Sequence, residues 1–84
     1  MKQYLILVRS ITYAQRLERA LERVGIRSQI GRAPMELTGG RGCAYAVRIS
    51  QNGLTAAKKI IRGDGFGPVQ IWLVGDENFQ EAEI

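Results

Sequence analysis

The feature that most constrains this chain is the spacing of apolar residues between Tyr13 and Val24. Ala14, Leu17, Leu21 and Val24 recur at intervals of three and four, with Ala20 beside them. That period lays one apolar stripe along a helix, and Arg16, Glu18, Arg19, Glu22 and Arg23 fall on the opposite face. Ser10 or Thr12 is placed to cap the helix start, Thr12 with Gln15 fitting a T-x-x-Q capping box, and Gly25 stands where such a helix stops. A helix with one buried stripe needs an apolar surface to lie on.

That surface is predicted from the flanking segments. Tyr4 to Val8 (YLILV) is too short for a helix and rich in strand formers, so it reads as a central strand. Ile26 to Ile30 reads as a second strand and Cys43 to Ile49 as a third. Leu54, Ala57, Ile60 and Ile61 mark a second helix, capped by Ser50 or Asn52 and stopped at Gly63. Val69 to Val74 reads as the last strand. Between the second and third strands, Gly31 to Gly42 holds four glycines and Pro34, a loop in which Pro34-Met-Glu-Leu can form one helical turn.

The order β-α-β-β-α-β with right-handed crossovers predicts an α+β, ferredoxin-like sandwich. It has a four-stranded antiparallel sheet, the first and third strands central, and both helices on one face. Residues 1–75 form one domain, and 76–84 are read as an acidic tail, frayed or briefly helical. Leu5, Leu7 and Trp72 are placed on the sheet face away from the helices. A patch there suits a homodimer or a protein partner, unless Trp72 is covered by its neighbours and the tail.

Composition narrows the function. The N-terminal MKQYLILVRS is interrupted by Arg9 and reads as a strand, not a signal peptide, and no apolar run is long enough to span a bilayer. One cysteine and no histidine leave no intramolecular disulfide, too few ligands for zinc, and no cysteine–histidine pair. A reducing cytoplasm is the expected compartment. No cofactor is implied, and no pair of carboxylates is placed for acid–base catalysis, so the chain is not expected to be an enzyme. Residues 1–75 carry twelve bases against four acids, a balance of +8, which suits an anionic partner or serves solubility alone.

The candidate reactive centre is Cys43, where the glycine-rich loop enters the third strand. Arg41 lies two residues before it and Arg32 at the far end of the loop. Thr38, Gly39, Gly40 and Gly42 shape the approach and leave backbone amides open. Positive charge and amide donors lower a thiol's pKa, and the thiolate is the nucleophile. A thiolate without an acid–base partner suits holding a chalcogen or forming mixed disulfides. The other reading is a small hydrophobe at a strand end, since free cysteine is among the most buried residue types. Strand parity puts Cys43, Tyr45, Val47 and Ile49 on the helix side, with Ala44, Ala46 and Arg48 on the other.

Several segments together resemble a known family. Ser10-Ile-Thr-Tyr-Ala-Gln15, Gly25-Ile26, Arg32-Ala-Pro34 and Gly42-Cys43-Ala-Tyr45 are similar to segments of the small bacterial selenium/sulfur (Se/S) carrier-like proteins, over about residues 3–75. The resemblance implies that Cys43 holds sulfur or selenium as a persulfide or perselenide, between donor and acceptor proteins. The family usually has glycine after the cysteine and arginine after the proline, where this chain has Ala44 and Met35.

The alternative is a small basic module that binds RNA, an anion or a protein, with a merely structural cysteine. Arg41 to Arg48 matches the third-strand motif of RNA-recognition domains at Arg41, Gly42, Ala44 and loosely Tyr45, but Cys43 replaces the first stacking aromatic. Parity also turns that position away from the open face. Nucleic acid is therefore disfavoured. Thr38 to Gly42 can cradle an anion, but fits neither common phosphate-loop pattern.

Overall fold

The computed structural model describes residues 2–38, 45–64, 70–75 and 78–82. The first strand, β1, is Gln3–Val8, and α1 follows at Ile11–Arg23. Ser10 is its cap: the Ser10 hydroxyl accepts from the Tyr13 N–H at 3.3 Å, so the Thr12 capping box is not the one used. At the other end the Gly25 N–H donates to the Glu22 carbonyl at 3.0 Å, and the Ile26 N–H to the Leu21 carbonyl at 2.9 Å. This is a Schellman closure, and Gly25 sits at φ 81°, where a side chain is strained.

β2, Ser28–Arg32, starts and ends two residues later than the sequence suggests. α2, Met35–Thr38, is the single turn expected after Pro34, whose carbonyl accepts from the Leu37 and Thr38 N–H groups at 3.0 and 3.3 Å. β3 is Tyr45–Ser50, followed by a 3-10 turn at Gln51–Gly53 and by α3, Leu54–Asp64. β4 is Gln70–Val74, and β5 is Phe79–Ala82.

The strands form one antiparallel sheet in the order β2-β3-β1-β4-β5. The first and third strands are internal, as expected, and the fold is α+β. The four-stranded sandwich with two helices needs correction, because the sheet has five strands and the described residues include a third, short helix. The extra strand comes from the segment read as an acidic tail. Its cause is a tight turn in which the Gly75 N–H donates to the Asn78 carbonyl at 2.8 Å. A Cβ at Gly75 would stand 2.7 Å from that carbonyl oxygen, so only glycine fits the turn. Phe79 is then brought opposite Val74.

Alternation along the strands sorts the apolar residues into two clusters, one on each face. The larger holds Ile6 and Val8 of β1, Val47 and Ile49 of β3 and Ile71 of β4. Against them lie Ala14, Leu17 and Leu21 of α1 and Ala57 and Ile61 of α3. Leu17, Leu21, Ile6, Ile49, Ile71 and Val47 are fully buried, each stabilising the fold by roughly 1.5–3 kcal/mol relative to exposure. The smaller cluster lies on the opposite face. Leu5, Leu7 and Ala46 are buried there beneath Ala33, Leu37, Trp72, Val74 and Phe79. Leu5, Leu7 and Trp72 thus share the face assigned to them, where Leu37 of α2 packs against the cluster and Phe79 of β5 extends it at the sheet edge.

Candidate functional site

The register of the sheet defines the base of the candidate site. Tyr45 is the cross-strand partner of Arg32 on one side and of Val8 on the other. One row across three strands therefore closes the sheet at the end where the β2–β3 connection begins and returns. Tyr45 is half-buried against the larger cluster, and Arg32 is exposed at the edge. Directly opposed residues share a face, so Arg32 lies on the same side as Tyr45. The parity expected for β3 holds at its described positions: Tyr45, Val47 and Ile49 face the helices, while Ala46 belongs to the other cluster and Arg48 is exposed.

Cys43, Arg41, Gly39, Gly40 and Gly42 lie outside the described residues. The structure places the two residues that flank them in sequence, Thr38 and Tyr45. Thr38 is half-buried at the end of α2, and Leu37 beside it packs on the smaller cluster. A cavity of about 130 Å³ is lined by Leu5, Gly31, Arg32, Pro34, Ala46 and Arg48. Of the two departures from the family pattern, Met35 is 73% exposed on α2, and Ala44 lies outside the described residues.

One contributor was missed in the sequence. Val8 pairs with Tyr45, so the two residues after Val8 bring Arg9 and the Ser10 cap of α1 to the same end of the sheet. Arg9 is exposed there. A 13-residue helix beginning at this end adds the partial positive charge of its N-terminus to those of Arg9 and Arg32. The signal available beforehand was the junction Val8-Arg9-Ser10 itself, but only the register shows that it meets the β2–β3 connection. The arrangement favours an anion at this end of the sheet.

A family model described as "Putative Se/S carrier protein-like" matches residues 3–73. The chain belongs to that family. Its matched span runs from the start of β1 to near the end of β4, and so includes the whole β2–β3 connection. No curated protein and no solved structure matches the chain.

The face opposite the helices has few features of a base-stacking platform. Its inner strands present Leu5, Leu7 and Ala46, all buried, while Tyr4 and Tyr45 pack towards the helices. Trp72 is half-buried in β4, its indole N–H donating to the Gln70 side-chain carbonyl at 3.2 Å. Among the described residues, no helix is long and apolar enough to cross a membrane.

Proposed function

We propose that this family member carries sulfur or selenium on Cys43 and delivers it to a partner protein. The observation that carries the reading is the family match across residues 3–73, which spans the only cysteine. The Arg32–Tyr45–Val8 row supports it from below. Two peptide units reach at most about 7 Å, so the backbone of residue 43 is tethered close to Tyr45. Arg9, Arg32, Arg41 and the start of α1 would then favour the thiolate over the thiol.

The chemistry is an exchange at sulfur. The Cys43 thiolate attacks the terminal sulfur of a donor persulfide. A new S–S bond forms on Cys43, the donor's S–S bond breaks, and the donor leaves as its own thiolate. Delivery to an acceptor thiolate repeats the step with Cys43 as leaving group. No acid–base residue is needed beyond a low thiol pKa, and the chain acts as a stoichiometric carrier, not an enzyme. A reducing compartment keeps Cys43 and the acceptor's thiol free for this exchange, which fits the cytoplasm.

The sheet face opposite the helices supports this reading over RNA binding, because among the described residues it presents no row of exposed aromatics to stack bases. The test is intact mass after treatment with a polysulfide or a selenium donor. Wild-type protein should gain one chalcogen atom that dithiothreitol removes, and Cys43→Ser should gain none. A wild-type protein that takes up no chalcogen and alkylates slowly at neutral pH would show the cysteine to be structural.

A further inference from the structure

The end of the sheet that holds the Arg32–Tyr45–Val8 row gathers more charge than its strands supply. β3 ends with Ser50 opposite Gln3 at the start of β1, and β4 begins with Gln70 opposite Leu7 near the end of β1. α3 covers that return, so its last turn, which carries Arg62, finishes towards the Arg9 end. α1 runs the other way from Ser10, and its first turn holds no acid. Arg16, in the next turn, lies over the Tyr13 ring at 5.9 Å from the centroid. Arg9, Arg16, Arg32 and Arg62 are all exposed. Among the described side chains at this end, Glu36 of α2 is the one acid. The opposite end is mixed, with Glu18 and Glu22 lining one cleft together with Arg27.

Two of the three large apolar side chains that are exposed among the described residues lie at the arginine end as well. Ile11 opens α1 beside the Ser10 cap, and Met35 opens α2, three residues after Arg32. Their neighbours Ala14 and Leu37 are packed in the two clusters, whereas Ile11 and Met35 are left outside both. Exposed apolar residues set among arginines match the composition of a protein interface, in which methionine and arginine are enriched and lysine and acids depleted. The planar fork of arginine also suits carboxylates, which it can bind through two parallel hydrogen bonds. A single-stranded nucleic acid would stack on exposed aromatics, but Tyr13 and Tyr45 at this end are half-buried against the larger cluster. A lipid surface takes up one continuous apolar helix face, and Ile11 and Met35 stand on separate elements.

We infer that this end of the sheet docks a protein whose contacting surface is acidic and carries an apolar spot. Its carboxylates meet the arginines, and its apolar side chains cover Ile11 and Met35. This names the chemistry of the partner in the carrier reading, and rests on that reading only for what the two proteins exchange.

The experiment is a ¹H–¹⁵N correlation titration of the full, reduced chain with a peptide of glutamate and leucine. A matched peptide of lysine and leucine, oligouridylate, and vesicles containing phosphatidylserine are the competing probes. None of them contains sulfur, so the result does not depend on whether Cys43 takes up a chalcogen. The acidic peptide should shift the amides of Arg9, Ile11, Arg32 and Met35 in a saturable way and leave those of Arg23 and Arg27 in place. The basic peptide should bind at least about tenfold more weakly, and sodium chloride at about 0.5 M should weaken the acidic peptide severalfold. Arg9→Gln and Met35→Ser, both at exposed positions, should each weaken it by about threefold. Equal shifts at Arg23 and Arg27, equal binding of the basic peptide, or indifference to both substitutions would overturn the inference. So would tighter binding of oligouridylate or of the vesicles through the same amides, which would make this a nucleic-acid or a lipid surface.

Discussion

Arg32 and Tyr45 face each other as the last cross-strand pair of β2 and β3, and the cysteine-bearing connection is closed by that pair. The guanidinium at residue 32 is thereby attached to a rigid sheet edge and not to the loop. A charge anchored at the closing pair keeps a fixed place at this end of the sheet. This is the physical content of treating Arg32 as electrostatic support.

Replacing Arg32 with glutamine should slow alkylation of Cys43 at neutral pH by about threefold, the scale expected when one partly solvated charge is removed near a thiolate. The difference should vanish at alkaline pH, where the thiol ionises in both proteins. Iodoacetamide rates across a pH series measure this. A rate unchanged at neutral pH would remove Arg32 from the site.

Arg9→Gln should act in the same direction, because Val8 brings Arg9 to the same end of the sheet. Arg23→Gln, at the exposed last residue of α1 and so at the opposite end of the sheet, is the matched charge control and should leave the alkylation rate alone. Equal slowing by both would point to net charge and not to position.

Gly25→Ala should destabilise the protein by about 1 kcal/mol, since it forces a side chain into the left-handed region that closes α1. For a domain of this size that corresponds to a fall in Tm of roughly 4–8 °C. Thermal unfolding followed by circular dichroism gives the number, and an unchanged Tm would mean that the closure relaxes at no cost.

Gly75→Ala should detach β5, because the added methyl meets the Asn78 carbonyl that closes the turn. Phe79 would leave the smaller cluster and expose Trp72. The expected result is a red shift of tryptophan fluorescence together with a loss of about 1–3 kcal/mol in urea unfolding. Emission identical to wild type would show that β5 does not shelter the indole.

Trp72→Ala removes the largest side chain from the smaller cluster, and should cost about 3 kcal/mol by lost packing. If Trp72 instead mediates assembly, the variant keeps its stability as a monomer and changes its sedimentation. Unfolding and sedimentation on the same samples separate the two roles.

Much of this was legible in the residues. The stripe of Ala14, Leu17 and Leu21 and the stop at Gly25 specify α1, since a 3.6-residue period and a left-handed cap are local properties of the chain. The alternation through Tyr45, Val47 and Ile49 likewise assigned the facing of β3. The segment after Gly75 was not legible, because each face of the strand mixes one apolar with one polar residue, Phe79 with Glu81 and Ala82 with Gln80, and so shows no apolar alternation. It becomes a strand only where β4 offers an unpaired edge and the smaller cluster offers Phe79 a place. The meeting of Arg9 with the Arg32–Tyr45 pair was equally hidden, being a matter of register between segments more than twenty residues apart. By itself the sequence determined the elements, their periodicity and the family pattern around Cys43. Tertiary structure alone decided which charges share an end of the sheet and which segments pack on the smaller cluster, because pairing register and packing depend on partners remote in the chain.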